Sequence, residues 1–358
     1  MALTRETMYD IAIVGAGPSG SVLAKELLEM RPELKAVIID GISAGGKVCG
    51  GLLSPDAKKQ LSELNISIPD EILAVPQSTT VETFDLEEGI KQSYKRDYLN
   101  MDREAFDKHL LSLVPKNTDV FSGRCLRVSR NKKGGFRLTV KCGKETFNLY
   151  SKAVVGADGA SSVVRKSLFP EKKIYKYTAV QEWYKDTDPS LPDYSCIYDG
   201  VTSDSCSWTI RKGEYYIFGG AFKTRGCKEA FELQKYRLEN CLNTKFGEPV
   251  KKEACLVCSP RKSKDFFVGS GGAYLVGEAA GFISASSFEG ISSALLSGHI
   301  LAQALAKSKT QRQALARYKS GTCRLKFKLW TKIPKMKILT SPTLRCLIMK
   351  SAVASSKK

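Results

Sequence analysis

Apolar and polar positions along this 358-residue chain switch between two periods. Residues 9–14, Tyr-Asp-Ile-Ala-Ile-Val, form a short apolar run that ends at glycine and predicts a buried strand. Beyond Gly15-Ala16-Gly17-Pro18-Ser19-Gly20 the period becomes helical through Val22, Leu23, Leu27 and Leu28, and Pro32 marks the helix end. Ala36-Val37-Ile38-Ile39 predicts the next strand, closed by Asp40. Together these make one complete βαβ unit.

Residues 49–72 read as loop and helix, followed by strand patterns near 79–84 and 92–99. Asp102 is placed to cap a helix through Arg103, Phe106 and Asp107. Strands are expected at 125–129, 136–141 and 146–149, with a turn at Lys132-Lys133-Gly134-Gly135, and again at 153–155. Residues 178–222 are aromatic and alternating, which predicts an antiparallel sheet distinct from the βαβ unit. A helix near 229–246, a buried strand at 273–276 and a long helix from about Gly290 complete the pattern. The chain has no internal repeat and no low-complexity tract.

Composition narrows the class. Hydrophobic residues at 42% and charged residues at 26% exclude wholesale disorder. No apolar run is long enough for a spanning helix, and Met1–Glu6 do not resemble a signal peptide. Eleven scattered cysteines suit a reducing cytoplasm. His109 and His299 are the only histidines, so His-based triads and multi-His metal sites are disfavoured, and no metal site is expected. The net charge of +19 is concentrated: residues 307–358 contain Lys and Arg but no Asp or Glu. A near-neutral body with one basic segment argues against nucleic-acid binding by the whole chain.

Candidate chemistry begins at Gly15-x-Gly17-x-x-Gly20 in its strand–turn–helix setting, a dinucleotide fingerprint. The glycines allow a tight turn, close approach of a pyrophosphate and close helix–strand packing. The helix N-terminus offers N–H groups and positive dipole to phosphate. Asp40 can accept hydrogen bonds from ribose hydroxyls. The motif alone fits FAD and NAD equally. Two further strand-to-glycine turns, Gly156-Ala157-Asp158-Gly159 and Gly277-Glu278-Ala279-Ala280-Gly281, suggest a long cofactor spanning the molecule.

The ensemble of these turns with Cys49-Gly50-Gly51-Leu52-Leu53, Asp102-Arg103…Phe106-Asp107, Tyr194-Ser195-Cys196, Ile217-Phe218-Gly219-Gly220-Ala221 and residues 277–291 resembles FAD-dependent oxidoreductases of the geranylgeranyl reductase family, within the p-hydroxybenzoate-hydroxylase-like superfamily. The resemblance implies an α/β fold: a Rossmann-like FAD-binding domain (1–75, 100–177, 265–306), an inserted antiparallel β-sheet substrate domain (76–99, 178–264) and a basic helical C-terminus (307–358). It implies FAD as cofactor, NADH or NADPH as transient donor, and reduction of an apolar isoprenoid-like or lipid substrate. A flavin monooxygenase and a non-catalytic flavin-binding stress protein at the membrane are the alternatives. Gly15, Gly17, Gly20 and Asp40 would hold the ADP half. Arg103 would bond phosphate or ribityl oxygens, Asp158 would orient groups near the phosphates, and Glu278 would bond the ribityl chain. Gly50, Gly51, Gly277, Gly290 and Ile291 would complete the cofactor site, with Gly290 and Ile291 facing the flavin. Cys49 is the candidate catalytic residue, with a merely space-filling role as the alternative. The alternating aromatic stretch itself makes Trp208 and Tyr216 candidates for lining the substrate pocket, with a place in the core of the sheet as the alternative.

Departures from that family matter as well. Glu278 stands where Asp is usual. Residues 206–212 keep Trp208 and Lys212 of an aromatic-Trp-Phe-Pro-Lys motif but lose Phe-Pro, which puts prenyl-chain specificity in doubt. The same stretch lacks the second Trp and the Pro of flavin halogenases, so halogenation is disfavoured. Cys255-x-x-Cys258 has no second pair at zinc-finger spacing. The basic segment interleaves its charges with Leu325, Phe327, Leu329, Trp330, Ile333, Ile338, Leu339, Leu344, Leu347 and Ile348. That mixture suits either helices capping the body or contact with an anionic membrane surface.

Overall fold

β1 (Met8–Val14) leads through the glycine turn into α1 (Pro18–Met30), which stops just before Pro32, and β2 (Ala36–Asp40) follows. The chain continues through β3 (Leu52–Leu53), α2 (Pro55–Glu63), β4 (Thr80–Asp85), β5 (Ile90–Lys95), β6 (Leu99–Asn100) and α3 (Arg103–Ser112). Asp102 caps α3 as expected, its carboxylate accepting the Ala105 N–H at 2.8 Å. Next come β7 (Asp119–Ser122), β8 (Arg124–Arg130), β9 (Phe136–Cys142), β10 (Glu145–Gly156) and α4 (Val163–Leu168). The remainder is β11 (Lys176–Tyr184), β12 (Tyr194–Tyr198), β13 (Cys206–Lys212), β14 (Tyr215–Phe222), α5 (Cys227–Leu242), β15 (Lys251–Cys258), β16 (Gly269–Ser270), β17 (Ala273–Leu275) and α6 (Ile291–Ala306). Four helices end the chain: α7 (Gln311–Gly321), α8 (Cys323–Trp330), α9 (Lys332–Thr340) and α10 (Pro342–Ser356). This computed structural model describes residues 8–41, 47–77, 79–185 and 187–356, with side chains as far as residue 350. The leaderless Met1–Glu6 expected from sequence lies outside them.

Two sheets organise the molecule. The first has the order β16-β17-β10-β1-β2-β7, with β8 and β9 extending from β10. Its central strands β17, β10, β1, β2 and β7 run parallel. Both faces of β17, β10, β1 and β2 are covered, so these strands read as largely apolar runs where they pair, while edge strand β7 is mostly exposed. The second sheet, β15-β11-β14-β13-β12-β4-β5, is antiparallel except where β12 meets β4. Sequence periodicity splits β10 into two short strands, but the structure has one strand of 12 residues. Its first half pairs antiparallel with β9 and its second half parallel with β1. Exposed Lys152 interrupts the apolar pattern without breaking the backbone ladder. Likewise α5 stops at Leu242, because Asn243 adopts a left-handed φ of 50° and turns Phe246 back into the core.

A close helix–helix contact sets the first domain's geometry. Gly298 in α6 lies against α1: a side-chain carbon there would stand 2.5 Å from the Ser19 carbonyl oxygen. His299, next along α6, pairs with Glu26 of α1 at 2.6 Å and adds a polar tie to the same helix contact. Gly298→Val should therefore force the helices apart and destabilise the protein by roughly 3 kcal/mol. Urea unfolding measures this, and a loss below about 0.5 kcal/mol would refute the close contact.

Candidate functional site

Parallel register brings the three glycine turns together. Val14 of β1, Gly156 of β10 and Leu275 of β17 are partners in one row. The turns that follow them therefore stand side by side beyond the carboxyl ends of the strands, where open α/β sheets bind ligands. Backbone bonds fix the row: Ala157 N–H donates to Val14 at 2.8 Å and Val276 N–H to Gly156 at 3.0 Å.

In the first turn Gly15 has φ +109°, and its missing side chain faces the Ala157 carbonyl. A Cβ on Gly20 would overlap the Gly15 carbonyl oxygen. Gly17 is the N-cap of α1, with no side-chain cap and no acid in the first turn. The first N–H groups of a 13-residue helix thus keep their partial positive charge for an anion. Asp40 ends β2 beside this turn, where the Gly15 N–H donates to the Ile39 carbonyl at 2.9 Å.

The second turn is shaped by Asp158. One carboxylate oxygen accepts the N–H groups of Val163 (2.6 Å) and Val164 (3.3 Å), while the other is buried without a partner. Burial raises its pKa, opposed first by the nearby Ser162 hydroxyl and then by those backbone N–H groups. Buried Arg165 in α4 ties this turn to the third, donating to the carbonyls of Ala279 (2.8 Å) and Asp265 (3.1 Å).

In the third turn Gly277 lies against Ser19 of α1, and its N–H donates to Ser297 Oγ at 2.9 Å. Glu278 accepts the Cys258 N–H at 2.8 Å and forms an ion pair with Lys47. Gly290 is the N-cap of α6, a 16-residue helix with no acid in its first turn, and Ile291 packs against the apolar cluster that includes Leu53 and Met101. Two residues before Gly290, Phe288 has a left-handed φ of 53° and packs on Tyr177 of the second sheet. Two uncapped helix N-termini and an unpartnered buried carboxylate oxygen thus frame the row of turns. These residues could hold a long, phosphate-bearing cofactor.

The loop carrying Cys49, Gly50 and Gly51 joins this row to the second sheet. Gly51 (φ +73°) faces the Met101 carbonyl and Lys212 Nζ, and Gly50 faces Ile210 and Trp208 of β13. Burial would raise the Cys49 thiol pKa, but the nearby Arg103 guanidinium and the Gly51 N–H (3.5 Å) together hold it below the ordinary value. Arg103 is itself held by Asp107 at 3.0 Å. Lys212 is half-buried, and desolvation pulls its ammonium down to about 8, against the opposing pull of Cys49 and Asp102. It donates to Asn100 Oδ1 at 3.0 Å and to the Met101 carbonyl at 2.5 Å.

Strand alternation decides the aromatic residues. Trp208, Ile210 and Lys212 share the face of β13 turned toward the Cys49 loop, and Trp208 Nε1 is buried with no partner. Cys196 on β12 pairs with Trp208, which places Tyr194 and Tyr198 on that face as well. Tyr216 corrects the sequence reading. It projects from the opposite face into a closed core with Tyr184, Phe218 and Phe246, packed under α5. An aromatic strand buried on both sides gives period two without saying which face is the pocket. Lys47 was missed because its partner Glu278 is 231 residues away in sequence. The same holds for Arg96 and Tyr98, which bond Glu289 at 2.9 and 2.6 Å beside the α6 N-terminus. Lys212 carried a motif signal; the other three carried none.

Replacing Arg103 should expose its effect on the thiol. In Arg103→Gln the midpoint of Cys49 alkylation, followed by peptide mass spectrometry across pH, should rise. Removing a cation raises a thiol pKa, so less thiolate remains at a given pH. An unchanged midpoint would show that Arg103 does not act on Cys49.

Comparison with known proteins supports this architecture. A family model described as lycopene cyclase protein matches residues 10–177. Among solved structures, a geranylgeranyl bacteriochlorophyll reductase-like protein from Thermoplasma acidophilum superposes with a TM-score of 0.78 at 21% identity, over 94% of this chain and 89% of that one. PqsL of Pseudomonas aeruginosa, described as a probable FAD-dependent monooxygenase, gives 0.68 at 15% identity over 93% and 96%. These likenesses show the p-hydroxybenzoate-hydroxylase-like fold, an α/β unit with an inserted sheet and a helical C-terminus. Protein CbrA of Shigella dysenteriae is 38% identical over 351 residues, covering 97% of both chains. At that identity and coverage, this chain belongs to the CbrA family.

Proposed function

We propose that this chain is a FAD-dependent oxidoreductase that reduces a double bond in an apolar, isoprenoid-like or lipid substrate, with NADH or NADPH as donor. The observation that carries this reading is the single row of three glycine turns, open to two helix N-termini. FAD, named in the description of PqsL, has the length and charge to use all three turns. Its pyrophosphate would meet the α1 N-terminus near Gly17, with the ribose toward Asp40. Its far end would meet Gly290 and the Cys49 loop. Bound FAD would supply hydride transfer, chemistry that no side chain here provides.

The chain's own residues would do the rest. The α6 N-terminus places positive potential where negative charge would develop on reduction. Cys49 holds a proton that Arg103 makes easier to release, at a position where it could serve a substrate carbon. Trp208, Tyr194, Tyr198 and Cys196 present a largely apolar wall that would exclude water. Lys212 and Lys47 fix the loop between cofactor and substrate sides. The reductase-like neighbour from Thermoplasma acidophilum supports reduction over oxygenation. Fold likeness to PqsL favours a monooxygenase as second reading. We further propose that the protein works in the cytoplasm at the inner membrane face.

Gly17→Val would place a side chain at the α1 N-cap, and the purified variant should lose its yellow colour while keeping the wild-type circular dichroism spectrum. Retained flavin would sink the cofactor assignment. Reductase and monooxygenase separate in an anaerobic assay with NADH or NADPH and a lipid extract. Repeated turnover without oxygen supports the reductase, and turnover only with oxygen supports the monooxygenase. No turnover under either condition favours flavin binding without catalysis.

A further inference from the structure

The basic segment is anchored, and its anchoring defines an outward face. Leu325, Leu329, Ile333 and Met336 are buried against the core of the first domain. At the other end, Arg345 of α10 is only 2% exposed and bonds Asp85 of β4 at 2.7 and 3.0 Å and Glu87 at 2.8 Å. Lys328 of α8 reaches Asp56 of α2 at 2.8 Å. The helices therefore bridge both domains and do not hang free.

What they turn outward is apolar as well as basic. Phe327 is 65% exposed and Trp330 47%; on α10, Leu344 is 46% and Leu347 61%. Each pair is spaced i, i+3 and so shares one side of its helix. Arg324, three residues before Phe327, and Lys350, three residues after Leu347, are exposed on those same sides, and Lys335 and Lys337 are exposed on α9 between the two helices. Among the described residues, Lys328 and Arg345 are the segment's only cations with a carboxylate partner.

We propose that the outward faces of α8 and α10 dock this protein on an anionic membrane surface. Aromatic and aliphatic side chains enter the headgroup boundary while the cations pair with lipid phosphates. Charge selects this occupant. A second copy of the same face would oppose like charges, since residues 307–358 contain no acid. A polynucleotide would satisfy the cations but leave Leu344 and Leu347 in water. No helix among the described residues is long and apolar enough to cross a membrane, so the contact is peripheral. The docking surface is independent of the redox reading and needs no bound cofactor.

The test uses the full chain with vesicles of phosphatidylglycerol and phosphatidylethanolamine, against vesicles of phosphatidylcholine alone. The protein should sediment with the anionic vesicles only, less so at high salt, and its tryptophan emission should shift to the blue. Trp330→Phe should abolish that shift. Phe327→Ser with Leu347→Ser, both at exposed positions, should weaken partitioning about tenfold. Arg324→Gln with Lys350→Gln should weaken it about 30-fold. Absence of binding, or equal binding to phosphatidylcholine, overturns the proposal. So does loss on charge removal with no effect of Phe327→Ser and Leu347→Ser, which would mean simple electrostatic adsorption. A solution dimer broken by Leu347→Ser, or an RNA complex lost with the charge variant while vesicles stay unbound, would assign the face to those partners instead.

Discussion

The structure depends on how closely the ends of β1, β10 and β17 can approach one another. Once Val14, Gly156 and Leu275 share a row, the turns that follow have room only for small residues. Gly20 touches the Gly15 carbonyl, Gly15 touches Ala157, and Gly277 touches Ser19. Because α6 also presses Gly298 onto Ser19, the N-termini of α1 and α6 are fixed relative to the sheet before any ligand arrives. Preorganisation of that kind spares a cofactor the cost of ordering its own site.

A second constraint lies where the two sheets meet. Lys47 to Glu278, Lys212 to Asn100 and Met101, and Arg96 with Tyr98 to Glu289 are all polar contacts between segments distant in sequence. Lys47 and Lys212 stand beside the Cys49 loop, so a small movement of the second sheet, which carries Lys212, would alter the electrostatics of the thiol. Burial and cation proximity pull oppositely on Cys49 and leave it below the ordinary thiol range. The arrangement makes the domain junction part of the site's chemistry as well as its scaffold.

Much of this was legible in the sequence, for identifiable reasons. The apolar run of β1, the helical period of α1 and the glycine turn between them are local signals, and each element forms where it was expected. Asp102 capping α3 is equally local. Contacts between distant segments were not legible: nothing near Lys47 names Glu278, and nothing near Arg345 names Asp85. Facing was also hidden where both sides of a strand are buried, which is why Tyr216 went to the core and Trp208 to the Cys49 side. The C-terminal segment divided in the same way. Its charge was obvious, but only the fold separated inward Leu325 and Leu329 from outward Phe327 and Trp330.

The central claim is that three turns in one row hold one FAD. It is tested most directly by denaturing the purified protein and identifying the nucleotide released by chromatography and mass spectrometry. The account predicts FAD at close to one equivalent per chain. Release of FMN or NAD in its place, or of no nucleotide from protein that remains folded and is offered FAD, would contradict it.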